Sequence, residues 1–117
     1  MIAYRLGART SNNFTPRPDK DTVGRPGQAP GLSVSTAAKP GRKSQLVELD
    51  LLAAPLSAIA DDPSKGGTPG HIAIAPVDRD GRIDQSLLDE WAATRATGQT
   101  HSMTQILLDA IVGEIRG

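Results

Sequence analysis

Three side chains of this 117-residue chain have types and settings suited to chemistry: Arg5, Ser33 and His71. Arg5 closes the run Tyr4-Arg5-Leu6-Gly7. A guanidinium fork can hold a phosphate or pyrophosphate through two parallel hydrogen bonds. Ser33 and Ser35 lie in Pro30-Gly31-Leu32-Ser33-Val34-Ser35. A serine on a neighbouring strand can hold a ribose hydroxyl or orient the arginine, and the pair would make a phosphate-and-sugar cradle. His71 follows Thr68-Pro69-Gly70 and opens an apolar run. Near its ordinary pKa, a histidine there can serve as base, acid or hydrogen-bond donor. The plainer alternative is an edge arginine, a surface serine pair and a locally bonded histidine; composition alone favours it.

Other chemistries are excluded or weakened by the residues. There is no cysteine, so thiol catalysis, disulfides and thiolate metal sites are ruled out. His71 and His101 are far apart in sequence and lack the spacing of a metal pair, and no partner ligands stand out, so no metal site is expected. Asp78-Arg79-Asp80-Gly81 resembles part of a calcium loop. Placing Gly81 at the sixth loop position puts Pro76 and Leu87 where the end ligands belong, so a polar turn is the better reading. No serine-nucleophile elbow, Walker loop or paired-histidine zinc helix is present. The glycines of Gly24 to Gly31 do not sit on a strand-to-helix turn, so a dinucleotide Rossmann site fails. The basic half holds just Tyr4 and Phe14 as aromatics, too few to interleave for nucleic acid. A nucleic-acid partner is not expected.

The elements that must position these residues follow from periodicity. Met1 to Leu6 alternates weakly and reads as a strand ended by Gly7. Ala8 to Pro30 keeps no period and is punctuated by proline and glycine. It reads as one long loop, a length that is usually functional or disordered. Gly31 to Ser35 and Gln45 to Leu52 read as strands, with a Pro40-Gly41 turn between them. Pro55 to Ala60 suggests one or two helical turns, and Asp61 to Gly70 a polar loop. His71 to Ala75 is a fourth strand. Asp84 is placed to cap a helix over Gln85 to Thr97. Ser102 and Gln105 are spaced as a capping box for a second helix. Its apolar face would run from Met103 through Ile115, while His101 reads as a plain surface residue. Strands first and helices last predict one α+β domain over residues 1–117. Its small sheet, antiparallel or mixed, would have about four short strands, with two C-terminal helices and the long loop at 8–30.

Charge is polarised on a chain of zero net charge. Residues 1–45 hold eight basic and two acidic side chains, a net +6; the remainder carries −6. A basic half on a neutral chain suggests an anionic ligand there; a solvated arm whose charges bind nothing is the alternative. No apolar run approaches the roughly 20 residues of a membrane helix, and no membrane partner is expected. The N-terminus lacks the apolar segment of a signal peptide. Action in the cytoplasm is expected, either as a stand-alone protein or as a domain delivered within a larger one.

In order and spacing, the chain resembles the C-terminal toxin domains of bacterial polymorphic (Rhs-type) toxins of the ADP-ribosyltransferase-like kind. The resemblance rests on Tyr4-Arg5-Leu6-Gly7, then Asn13-Phe14-Thr15-Pro16-Arg17-Pro18 with Lys20-Asp21. Pro30-Gly31-Leu32-Ser33 and Pro69-Gly70-His71-Ile72-Ala73-Ile74-Ala75-Pro76 complete it. It spans Tyr4 to Pro76, and Leu6 stands where the family has a glycine. The resemblance implies transfer of ADP-ribose from NAD, as substrate, to a target protein in a recipient cell, and a cognate immunity protein or antitoxin. It implies that Arg5 grips NAD and that Ser33 is the second-strand serine. It places Arg17, Lys20 and Asp21 on a loop over the cofactor or target, with His71 facing the same cleft. The acidic group such enzymes use is not marked by any motif; Glu48, Asp50 and Glu114 are all conceivable. Two alternatives stay open: a metal-independent ribonuclease with His71 as base or acid, and a non-catalytic interaction module whose arm orders on binding.

Overall fold

A computed structural model describes residues 1–117. The strands are β1 (Ile2–Leu6), β2 (Leu32–Ser35), β3 (Lys43–Glu48), β4 (Leu56–Ala60), β5 (His71–Pro76) and β6 (Ile111–Arg116). The helices are α1 (Gln85–Ala93) and α2 (Ser102–Asp109). The strands form one sheet in the order β4-β5-β2-β1-β3-β6, and every pairing is antiparallel. The α+β class stands, but the expected sheet of about four strands is corrected to six. Both additional strands are edges.

Each edge strand lies where helix was expected. Pro55 to Ala60 is not helical: Leu56 to Ala60 pair along the whole outer side of β5, from Leu56↔Pro76 to Ala60↔Ile72. So short a helix is marginal in water, whereas pairing satisfies the backbone directly. The helix expected to run on to Ile115 stops at Asp109, and Ile111 to Arg116 pair with β3. Ile111, Val112 and Ile115 are β-branched and Gly113 is a weak helix former, so this segment gains more as a strand. The register shifts between Leu46 and Val47, which leaves Val112 as the extra residue of a bulge.

Asp84 caps α1 as its position predicts: its Oδ1 accepts from the Leu87 N–H at 3.1 Å. The expected Ser102/Gln105 capping box does not form. His101 is the cap instead, its Nδ1 accepting from the Met103 N–H at 3.1 Å. The Gln105 side chain turns the other way, donating to Asp109 Oδ1 at 2.8 Å. The ring nitrogen does the work a cap oxygen usually does, because it too is an acceptor when neutral.

One hydrophobic cluster joins sheet and helices. Ala3, Leu32, Val34, Val47, Ile72 and Ile74 meet Leu88, Trp91, Met103 and Leu107, all at most 4% exposed. Phe14 belongs to the same cluster and is fully buried, so the first part of the long loop is anchored in the core. The anchor is polar as well as apolar. Thr104 Oγ1 donates to the Phe14 carbonyl at 3.1 Å, accepts from Trp91 Nε1 at 2.8 Å and lies 2.7 Å from Thr15 Oγ1. A buried donor or acceptor stripped of its partner costs its full desolvation.

Replacing Thr104 by Val keeps the shape and strands the indole N–H and the Phe14 carbonyl. A loss of about 2–3 kcal/mol is expected, seen as a melting temperature lower by roughly 10 °C. Thr104→Ser, which keeps the hydroxyl, should melt near the parent; equal melting of Thr104→Val and parent would refute the anchor.

Candidate functional site

β2 and β5 are adjacent and antiparallel, in the register Ser33↔Ala73 and Ser35↔His71. Side chains two positions apart share a face, so Ser33 and His71 meet diagonally across the pair. His71 Nε2 lies 2.9 Å from Ser33 Oγ. Behind the ring, Nδ1 lies 2.7 Å from Asp61 Oδ1. A carboxylate only accepts, so Nδ1 carries the proton, and a neutral ring then presents Nε2 as the acceptor for the Ser33 hydroxyl. Asp61, His71 and Ser33 therefore form one directed chain of hydrogen bonds.

The Asp61 side chain has no exposed surface, and three donors meet it. They are His71, the Thr68 N–H on Oδ2 at 2.9 Å and Gln28 Nε2 on Oδ2 at 3.1 Å. Burial by itself pushes its pKa up; the bonds from His71, the Thr68 backbone and Gln28 outweigh that, and the carboxyl lies below its usual range. The Gln28 amide also lies 3.2 Å from His71 Nδ1, but both atoms are donors there, so its bond goes to the carboxylate.

Backbone contact delivers Gln28. Asp62 N–H donates to the Gly27 carbonyl at 2.8 Å. Gly27 has φ +74°, and a Cβ on it would strike the Gly67 nitrogen and the Asp62 carbonyl. Glycine is needed at 27 for both the left-handed backbone and the close approach. The Ala8 to Pro30 loop is thus tied to the Asp61 loop at one end and to the core by Phe14 at the other. Inside it, Gly31 N–H donates to the Asp21 carbonyl at 2.7 Å.

This loop walls a cleft of about 560 Å³ over Ser33 and His71. Its charged lining is Arg17, Lys20 and Arg25 with Asp19 and Asp21. Arg17 is not an open cation. Its Nε and Nη2 hold the two oxygens of Asp21 at 3.2 and 3.1 Å, and its N–H donates to Asp21 Oδ2 at 2.6 Å. The bonded carboxylate raises the Arg17 pKa. Lys20 and Arg25 make no ion pair and are the cations left to an anionic ligand. A groove of similar size between Pro18 to Gly24 and α1 holds just Asp19 and Asp89 as ionisable groups, and no pair of interacting catalytic types.

Arg5 meets Ser33 at its carbonyl, not its hydroxyl. Its Nη1 donates to Ser33 O at 2.8 Å and its Nε to Asn13 O at 3.0 Å. β1 and β2 share a single register pair, Tyr4↔Ser35, and the guanidinium bridges the strands where they part. Arg5 is not among the cleft-lining residues. Desolvation lowers its pKa to about 10, partly offset by the charge of Asp21, so the group stays cationic at neutral pH. Its Nη2 has no protein partner and is not closed off.

The structure thus brings together Ser33, His71, Arg17, Lys20 and Asp21, and sets Arg5 behind them as a brace. The acidic candidates Glu48, Asp50 and Glu114 lie elsewhere. Glu48 and Asp50 hold the N-terminal ammonium at 2.9 and 3.4 Å, and Glu114 accepts from Gln45 at 2.7 Å. The acid bonded to His71 is Asp61, which sequence reasoning missed along with Gln28. The available signal was an aspartate ten residues before His71 at the mouth of a Gly/Pro turn, too common a pattern to stand out. No group of residues able to hold a metal ion is present.

Arg5→Ala removes a half-buried brace, and a destabilisation of about 2–3 kcal/mol is expected for its two carbonyl bonds. Unchanged chemical denaturation of that variant would show the brace to be unimportant. Asp61 binds its proton more weakly folded than unfolded. Its stabilising contribution is full above the ordinary carboxylate range and is lost as pH falls through its lowered folded value. The stability gap between parent and Asp61→Asn, from urea titrations at several pH values, should therefore be widest near neutrality and narrow below about pH 4. A gap that does not change with pH would contradict this. Set against known proteins, the chain matches no family model, no curated protein and no solved structure.

Proposed function

We propose that the chain is an ADP-ribosyltransferase-like bacterial toxin domain that moves ADP-ribose from NAD to a target protein. The observation that carries the reading is the Ser33–His71 contact of 2.9 Å on the floor of a cleft large enough for a nucleotide-sized ligand. Its wall supplies Lys20 and Arg25, which no ion pair takes up, beside Asp19 and the Arg17-bound Asp21. The resemblance of Tyr4 to Pro76 to polymorphic-toxin domains adds the substrate. The cognate immunity protein or antitoxin is part of the same proposal, as is action in the cytoplasm of a recipient cell. No helix of the chain is long and apolar enough to cross a membrane.

In this reading the pyrophosphate lies against Lys20 and Arg25. Ser33 and His71 hold the nicotinamide ribose. The bond from C1′ of that ribose to the nicotinamide nitrogen breaks, and nicotinamide leaves neutral. Positive charge grows on the ribose, and the buried Asp61 carboxylate behind His71 favours it. The target's nucleophile bonds to C1′ from the open side of the cleft. Its proton passes by way of the Ser33 hydroxyl to His71 Nε2, the acceptor left by the Asp61-bound tautomer.

Titration with NAD should raise the melting temperature. At a hundred times the dissociation constant the stabilisation is about 2.7 kcal/mol. Nicotinamide release should fall at least about 100-fold in Ser33→Ala and in His71→Ala, the scale of a lost acid–base group. Folded protein that NAD does not stabilise and that releases no nicotinamide would sink the reading. RNA degradation by the same protein without NAD, lost in His71→Ala, would move the site to ribonuclease chemistry.

A further inference from the structure

The geometry points to a second activity that needs no nicotinamide nucleotide: we infer that Ser33 is itself a nucleophile, activated by His71 and Asp61, that takes up an acyl group from an anionic ester. The distances on both sides of the imidazole are those of a nucleophile–base–orienter chain, 2.9 Å to Ser33 Oγ and 2.7 Å to Asp61 Oδ1. Such a chain is recognised by geometry and roles rather than by sequence position, and here it is announced by no elbow motif. Ser33 lies mid-strand and is reached from the cleft. Asp61 is closed to solvent and saturated with donors, which holds the ring in the tautomer that accepts the serine proton. A histidine satisfied merely for structure does not need a buried carboxylate on one nitrogen and a cleft-facing hydroxyl on the other.

The step balances without a cofactor. Ser33 Oγ bonds to the ester carbonyl carbon while its proton moves to His71 Nε2. The bond to the leaving oxygen breaks, and that oxygen takes the proton from His71. Water then repeats the sequence: it gives a proton to His71, attacks the acyl carbon and releases the carboxylic acid. The proton returns to Ser33. Negative charge on the carbonyl oxygen develops in a cleft lined by the unpaired cations Lys20 and Arg25, which also select an anionic substrate.

The experiment uses the full chain, without NAD, and a fluorophosphonate probe read by intact mass and peptide mapping. Attack forms the Oγ–P bond, breaks P–F and releases fluoride and a proton. One adduct per chain on Ser33 is expected. It should be absent in Ser33→Ala and slowed at least about 100-fold in His71→Ala, the loss typical of a removed base. In Asp61→Asn the labelling rate should fall and its pH inflection should move, an effect that a merely packing role for Asp61 would not produce. The chain has no cysteine, so Ser33→Cys carries one thiol and gives a second readout. Iodoacetamide should alkylate it faster with His71 present than in the His71→Ala background, since a paired imidazole favours the thiolate. No adduct on Ser33 of folded protein, adduct formation unchanged in His71→Ala, or alkylation indifferent to His71 would each overturn the inference. NAD turnover is measured apart, so loss of either activity leaves the other judged on its own result.

Discussion

A carboxylate shut away from water must have its lone pairs occupied, and that requirement at Asp61 organises the site. Ionised carboxylates are rarely buried without strong donors. The three donors come from three places in the chain: Gln28 from the long loop, Thr68 from the turn before β5, and His71 from the first residue of that strand. Satisfying one side chain therefore fixes a loop, a turn and a ring at once. The tautomer of His71 follows, and with it the direction of the bond to Ser33.

The long loop is held by contacts of different kinds along its length. Phe14 and Thr15 are sunk in the core against Thr104 and Trp91. Arg17 clasps Asp21, a partly exposed pair that adds little stability alone but closes the turn. Gly27 lies against the backbone of Asp62 and Gly67. The clasp also changes the electrostatics. The sequence counts Arg17 among the basic groups of an anion-binding half, whereas in the fold it is spent on Asp21, leaving Lys20 and Arg25 to the cleft. Arg5 is likewise taken up, by two carbonyls where β1 and β2 diverge. Such a cation is costly to bury, and its lowered pKa records that cost. What it secures is the position of the strand that carries Ser33.

Residue types and periodicity determined much of this protein directly: the strand character around Ala3, Val34, Val47 and Ile74, the Asp84 cap, and Ser33 and His71 as residues able to do chemistry. These are local properties, set by alternation and by which groups a side chain offers. Tertiary structure decided the rest. β4 and β6 read as helix because short apolar runs satisfy either period; only the free edges of β5 and β3 supply the hydrogen bonds that make them strands. Ser33 and His71 are 38 positions apart, and nothing local says that β2 and β5 are neighbours. Asp61 carries no motif, and Gln28 sits in a loop without period. Each acquires its role because pairing and a glycine-permitted backbone contact bring it within hydrogen-bond reach, and a buried charge leaves no room for a looser arrangement.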